Sequence, residues 1–185
     1  MRQSKDARSN EAACDRALLA KVAAGSQEAL GQLYDRFAPR MLGLAWRILG
    51  TRRDAEDLLH DVFLEIWRRD ADYDPERGEV ATWLLLRTRS RAIDRLRASG
   101  ARWQSAEWLD GLVGPSRDDP VLEPERAQLR CALRRLPESQ AEALVLAYFG
   151  GLTCREIAER QGVPLGTVKS RMAAAIARLR TELEA

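Results

Sequence analysis

The chain has 185 residues, of which 45% are hydrophobic and 31% charged, and its formal net charge is +2. These values are typical of a soluble, helix-rich protein with one medium domain or two small ones. Apolar runs such as residues 83–86 and 143–149 are much shorter than the ~18 residues of a membrane span, and the N-terminal residues are too polar for a signal peptide. We therefore expect a cytoplasmic chain without membrane insertion.

Cysteine and histidine are too sparse and too scattered for a metal site. Cys14, Cys131 and Cys154 show no paired spacing, and His60 is the one histidine in the sequence. We expect free thiols in a reducing compartment, no metal and no cofactor. The sequence has no glycine-rich phosphate loop and no nucleophile paired with a base, so we also expect no enzymatic activity.

Helical periodicity organises the first half of the chain. It predicts helices over residues 11–24, 26–49, 54–69 and 79–98, with Ser26 as the N-cap of the second. No segment alternates with period two, so we predict an all-α fold. The buried stripe of the second helix should contain six residues: Ala29, Leu33, Phe37, Met41, Leu44 and Ile48. The third helix should bury Leu58, Val62 and Ile66.

Charge is distributed unevenly over the third and fourth helices. The third carries five acids and no lysine or arginine over residues 54–65, whereas residues 87–97 carry five arginines against Asp94. Two interpretations stay open. The faces attract each other within one bundle, or an acidic protein-docking helix lies beside a nucleic-acid-binding helix.

Glycine and proline interrupt the helical pattern over residues 99–124, which we interpret as a flexible linker. Beyond it we predict helices over 125–135 and 139–149, separated by Pro137. The chain should therefore form two small helical domains, at 11–98 and 125–185, joined by a linker at 99–124.

The pattern over residues 151–180 is that of a helix-turn-helix that reads duplex DNA in the major groove. Thr153 and Glu156 form a capping box at the first helix, which Gly162 ends. Thr167 is the predicted N-cap of the second helix. Its predicted buried stripe comprises Val168, Met172, Ile176, Leu179 and Leu183.

The opposite face of that second helix carries Lys169, Ser170 and Arg171 in its first turn and Arg178 further along. Such side chains suit phosphate and base-edge contacts. An amphipathic helical hairpin with solvated charges is the alternative, but the turn chemistry and the spacing together favour DNA binding.

Three stretches together carry a family resemblance: residues 54–69 (DAEDLLHDVFLEIWRR), residues 73–97 and residues 136–180. In order and spacing they resemble a bacterial extracytoplasmic-function (ECF) sigma factor of the sigma-70 family, over almost the whole chain. The sequence departs from the family pattern at His60, at Arg89 with Ser90, and at Cys154. These departures affect individual contacts and leave the helical pattern unchanged.

The resemblance implies three sets of contacts. The acidic helix would dock on core RNA polymerase, with its exposed aromatic residues as anchors, through Asp57, Asp61, Phe63, Leu64 and Trp67. The loop and the arginine-rich helix would bind the minus-ten element through Tyr73, Arg77, Trp83, Arg87, Arg91 and Arg95, although Trp83 also suits core packing. The helix-turn-helix would bind the minus-thirty-five element through Arg155, Thr167, Lys169, Ser170, Arg171 and Arg178.

The resemblance thus implies an initiation factor that binds core RNA polymerase, reads a two-part promoter and assists strand opening. An anti-sigma factor is expected as a further partner, and no homo-oligomer is expected. One alternative is a dimeric helix-turn-helix regulator that acts without polymerase. The other is a helical enzyme or scaffold that uses His60, for which the sequence offers no partner residue.

Overall fold

The computed structural model describes the backbone of residues 2–68, 73–100 and 123–184, and the side chains of residues 10–68, 73–100 and 127–183. Every regular element in these ranges is a helix, which confirms the predicted all-α fold. The chain divides into two compact units, residues 1–100 and 101–185. The predicted linker lies almost entirely outside the described residues.

The first unit contains, within its described residues, helices α1 (Arg2–Ala23), α2 (Gln27–Leu49), α3 (Arg52–Trp67) and α4 (Val80–Ala98), with a 3₁₀ turn at Pro75–Arg77. Ser26 caps α2 as predicted, because its Oγ accepts the Ala29 N–H at 3.2 Å. Thr51 caps α3 in the same way. This cap places the start of α3 two residues before the predicted position.

The core of the first unit lies where α2 packs against α1, α3 and α4. Leu33, Met41, Leu58 and Leu84 are at most 1% exposed. The predicted stripe of α2 is confirmed except at Leu44, which is half-buried while its neighbour Ala45 is fully buried. The three predicted core residues of α3 are all buried.

Helix α1 begins at Arg2, well before the predicted start at residue 11. Its first residues have no apolar period, so the pattern did not reveal them. Asp15 of α1 is only 6% exposed, and Arg36 Nε lies 2.9 Å from its Oδ1. Burial raises the pKa of Asp15, although the charge of Arg36 acts in the opposite direction.

The second unit contains, in the part from residue 123 onward, helices α5 (Glu123–Arg134), α6 (Glu138–Tyr148), α7 (Cys154–Gln161) and α8 (Leu165–Glu184). Pro137 separates α5 and α6 as predicted, and α8 packs against the other three helices. Buried residues from all four segments form the core: Ala132, Leu136, Ala141, Leu146, Ile157, Val168 and Ala175.

The buried line of α8 differs from the predicted stripe. Val168 and Ala175 are fully buried, whereas Ile176 is 49% and Leu183 44% exposed, so the prediction that these two residues face the core is wrong. A helix turns by about 100° per residue. Ala175 therefore stays within about 20° of Val168, while Ile176 lies about 80° away.

Candidate nucleic-acid interface

The helix-turn-helix is built by local hydrogen bonds that the sequence predicts. Glu156 Oε2 accepts the Thr153 N–H at 2.7 Å, and Thr153 Oγ1 accepts the Glu156 N–H at 3.3 Å, which confirms the capping box. Ile157 and Ala158 are buried. Gly162 ends α7 in the left-handed conformation with φ 64°, and its N–H donates to the Ala158 carbonyl.

Helix α8 begins at Leu165, so the prediction of Thr167 as its N-cap is wrong. The Pro164 carbonyl accepts the N–H groups of Thr167 at 2.9 Å and of Val168 at 3.3 Å. Proline is tolerated just before the first helical residue, because its missing N–H would have no helical partner there. Thr167 thus lies within the first turn.

The first turns of α8 expose Lys169 and Ser170. Ser170 Oγ donates to the Thr167 carbonyl at 2.9 Å. Arg171 differs, since it is half-buried and its Nη1 donates to Gln161 Oε1 at 3.1 Å. Arg171 therefore links the two helices of the motif, whereas Lys169 points its charge into solvent.

The side chains of Arg178 and Lys169 do not share a face of α8. Nine residues turn a helix by about 900°, so the two side chains lie on opposite sides of α8. Arg178 instead borders a groove between α5 and α8, near Leu136 and Thr181. The face that carries Lys169 continues through Ala173 and Ile176 to Arg180, a basic residue that the sequence analysis did not select.

Arg87 and Arg91 of α4 pair with Glu65 of α3. Arg87 Nη2 and Nε lie 2.7 and 3.0 Å from Glu65 Oε2, and Arg91 Nε lies 2.9 Å from Glu65 Oε1. Arg95 donates to the Asp61 carboxylate. These contacts confirm the interpretation that the acidic and basic faces attract each other within one bundle.

The Arg87–Glu65 pair and the Arg95–Asp61 pair differ in their exposure to solvent. The side chains of Arg87 and Glu65 are 22% and 23% exposed, against 36% and 56% for Arg95 and Asp61. Exposed ion pairs contribute only about 0.2–1 kcal/mol because water screens them, and charged hydrogen bonds removed from water contribute more. The Glu65 pair is therefore the stronger link between the helices, and the Asp61 pair is easier to replace.

The loop before α4 is ordered by Tyr73. Its Oη donates to the Gly78 carbonyl at 2.9 Å, and its ring meets the half-buried Trp83 ring edge-on, with centroids 5.4 Å apart. Asp74 caps the 3₁₀ turn and pairs with Arg77 at 3.2 Å, although the Arg77 side chain stays 87% exposed. Tyr73 and Trp83 thus form one aromatic unit, with a strongly exposed arginine on the same loop.

The acidic face of α3 exposes Asp57 and Asp61, while Leu64 and Trp67 are half-buried. The expectation that Phe63 is exposed is wrong, because it is only 5% exposed and its ring lies 4.8 Å from that of Tyr34 on α2. Tyr34 is 44% exposed. It is the aromatic surface beside this face, and the periodicity of α2 gave no signal for it.

None of the helices in the described ranges is long and apolar enough to span a membrane. All three cysteines are free thiols; Cys14 and Cys131 are exposed and Cys154 is half-buried. In the same ranges, no three His, Cys, Asp or Glu residues are grouped to hold a metal ion.

Two protein-family models match the chain, and each falls mainly on one unit. Sigma-70 region 2 matches residues 33–102, and Sigma-70 region 4 matches residues 126–179. An ECF RNA polymerase sigma factor SigK of Mycobacterium ulcerans is 35% identical over 174 residues, covering 91% of this chain and 93% of that protein. The chain belongs to the ECF sigma factors of the sigma-70 family.

Another relative of this sigma factor is the ECF RNA polymerase sigma factor SigK of Mycolicibacterium vanbaalenii, 38% identical over 170 residues, with 89% of this chain and 86% of that protein covered. Among solved structures, CnrH in complex with the cytosolic domain of CnrY is 27% identical and covers 92% of this chain and 97% of that one, with a TM-score of 0.40.

The two region matches divide the candidate residues into two groups. The acidic face of α3, the Tyr73 loop and the arginines of α4 all lie in region 2. The helix-turn-helix of α7 and α8 lies in region 4, together with α5 and α6. Helix α1 precedes the region 2 match, and its buried Asp15 pairs with Arg36 of α2 in the first unit.

Proposed function

We propose that this sigma factor binds core RNA polymerase, reads the minus-ten and minus-thirty-five elements with its two units, and assists strand opening. The observation that carries the proposal is the presence of both sigma-70 regions, in order, on two separate helical units. The helix-turn-helix adds a physical basis, because its recognition helix exposes polar and basic side chains in its first turns.

The exposed acids of α3 are the proposed core polymerase contacts. Asp57 and Asp61 lie one helical turn apart on the surface and suit a basic groove on the partner. Leu64 and Trp67 offer half-buried apolar surface beside them. Phe63 contributes by packing against Tyr34 rather than as an exposed anchor, so Tyr34 joins the proposed surface.

The Tyr73 loop and α4 are the proposed minus-ten surface. Unpairing a base costs about a few kcal/mol, and stacking on an aromatic side chain offsets part of that cost. The Tyr73–Trp83 pair provides such rings, and the exposed Arg77 lies on the same loop. Arg87, Arg91 and Arg95 are the proposed phosphate contacts on this surface, and Arg95, whose pair with Asp61 is the more exposed, is the arginine that its α3 carboxylate releases most readily.

The first turns of α8 are the proposed minus-thirty-five surface, with Lys169 and Ser170 as its foremost residues. Thr167 borders them, and Arg155 is exposed in the first turn of α7, where it suits a phosphate contact. Arg171 supports the motif through Gln161. Arg178 lies on the far side of α8 from Lys169, so the proposal does not give it base readout together with Lys169.

The remaining parts of the proposal concern chemistry, place and regulation. The sigma factor carries out no covalent chemistry, because polymerase forms the bonds. It acts in the cytoplasm, where transcription takes place. An anti-sigma factor holds it inactive by covering the polymerase-binding and DNA-binding surfaces, as the family resemblance implies.

Run-off transcription with purified core polymerase on a library of genomic promoters tests the proposal. We expect initiation at discrete promoters that depends on adding the sigma factor. Asp57→Ala should weaken core binding, whereas Asp35→Ala, the same change at an exposed acid of α2, should not. Failure of the folded, inhibitor-free chain to direct initiation from any promoter would contradict the proposal.

A further inference from the structure

The ion pairs between α3 and α4 join the two surfaces that the proposed function assigns to different partners. Asp61 belongs to the polymerase-docking face, and Arg95 belongs to the DNA-binding face. In the unbound chain the two side chains neutralise each other beside an open groove lined by Leu58, Arg91 and Asp94. Neither charge is fully available to an outside partner while that contact is made.

We propose that Asp61 and Arg95 form an exchangeable contact, in which a basic groove of core polymerase takes Asp61 and thereby releases Arg95 to a DNA phosphate. This inference rests on the proposed function. It predicts that the sigma factor by itself binds DNA with one phosphate contact fewer than it makes in the polymerase complex.

Exposure identifies Asp61–Arg95 as the pair that exchanges. Both side chains are more than a third exposed, so an incoming cation can reach Asp61 without displacing core residues. The Glu65–Arg87 pair is less than a quarter exposed and makes two hydrogen bonds through Arg87 Nε and Nη2. That pair stays in place and keeps α3 and α4 aligned during the exchange.

The groups around the exchangeable contact keep Arg95 at the surface after Asp61 is withdrawn. Arg95 Nη1 also donates to the Asp54 carbonyl at 3.2 Å, so the guanidinium remains positioned over α3 when Asp61 is withdrawn. Asp94, next to it on α4, is paired loosely with Arg91, with 4.0 Å between Asp94 Oδ2 and Arg91 Nη1. The freed charge of Arg95 is thereby held at the surface, where a DNA phosphate can reach it.

Salt-dependent binding of the full chain to a fluorescein-labelled single-stranded oligonucleotide, without polymerase, tests the exchange. Each phosphate contact adds about 0.7 to the slope of log affinity against log salt for single strands. Asp61→Asn should steepen the slope by about 0.7, and the double variant D61N/R95A should return it to the wild-type value. Asp35→Asn, with the same change in net charge, should leave the slope unchanged.

The converse measurement uses the polymerase complex. Arg95→Ala should lower the slope of the complex by about 0.7 while leaving that of the sigma factor alone unchanged. The proposal is overturned if Asp61→Asn keeps the wild-type slope, if D61N/R95A retains the steeper one, or if Arg95→Ala has equal effects in both states. Circular dichroism confirms that each variant is folded.

Run-off transcription by the wild-type chain distinguishes a failure of the exchange from a failure of the proposed function. Initiation with unchanged slopes would overturn the exchange and leave the proposed function standing. Absence of initiation would contradict the proposed function. It would also contradict the polymerase-dependent release of Arg95, which rests on that function.

Discussion

The turn of the helix-turn-helix offers a sharp test, because Gly162 and Gly166 should respond to the same substitution with opposite signs. Gly162 has φ +64°, and a Cβ added to either glycine meets nothing within 4 Å. Left-handed backbone costs a residue with a side chain about 1–2 kcal/mol, offset in part by the lower entropy of unfolded alanine. Gly162→Ala should therefore destabilise the motif by about 1 kcal/mol.

Gly166 lies in the first turn of α8, where alanine is favoured over glycine by about 0.5–1 kcal/mol. Gly166→Ala should thus stabilise the same motif, and the two variants should differ by nearly 2 kcal/mol. Hydrogen exchange of the full chain, followed in peptides from α7 and α8, measures the difference. A change of 1.4 kcal/mol is tenfold in an opening equilibrium, so Gly162→Ala should speed exchange roughly fivefold and Gly166→Ala should slow it about two- to fivefold.

Peptides from the first unit provide the internal control and should keep their wild-type exchange in both variants. The reasoning is refuted if Gly162→Ala proves neutral or protective, or if both substitutions shift exchange in the same direction.

Three further predictions concern stability. The proton of Asp15 binds more tightly in the folded state, so its contribution to the free energy of unfolding should fall as pH rises from its ordinary pKa of 3.8 through its raised pKa. The difference in free energy of unfolding between wild type and Asp15→Asn, measured by urea unfolding at several pH values, should show this fall. A difference that does not change with pH would contradict it. Arg171→Ala should cost about 1 kcal/mol by removing the Gln161 hydrogen bond, whereas Lys169→Ala should leave thermal unfolding unchanged; equal shifts would contradict this assignment. Leu84→Ala should cost about 2–5 kcal/mol in urea unfolding, against less than about 0.5 for the exposed Leu86→Ala, and similar losses would show that Leu84 is not a core residue.

Features fixed by short-range chemistry could be predicted from the sequence. The Thr153–Glu156 capping box, the Ser26 cap and the Gly162 stop depend on residues within a few positions of each other. The buried stripes of α2 and α3 follow from helical spacing alone. These predictions are confirmed, except for the burial of Leu44, because neighbours along the chain decide the local geometry.

Features that depend on packing between helices could not be predicted. Arg87 and Glu65 are 22 residues apart in sequence, and the register between α3 and α4 decides which arginine meets which carboxylate. The burial of Phe63 depends in the same way on Tyr34 of α2. The charge pattern therefore indicated that acidic and basic faces exist, and the structure shows that they are paired.

The position of Arg178 is a different case, because the sequence contained the signal. Its separation of nine residues from Lys169 corresponds to about two and a half helical turns, so the two side chains lie on opposite sides of α8 and cannot read the same groove face. The same arithmetic selects Arg180, eleven residues from Lys169 and on its side of α8. The start of α8 at Leu165, by contrast, depended on the proline turn rather than on the hydroxyl of Thr167.

Selection from randomised duplex DNA, with and without core polymerase, tests the central claim most directly. We expect the sigma factor with polymerase to enrich two different sequence elements at a fixed spacing, and the chain alone to enrich neither. Lys169→Ala should change the preference at the upstream element only. Enrichment of a two-fold symmetric site by the chain alone would contradict the account and support the dimeric regulator instead.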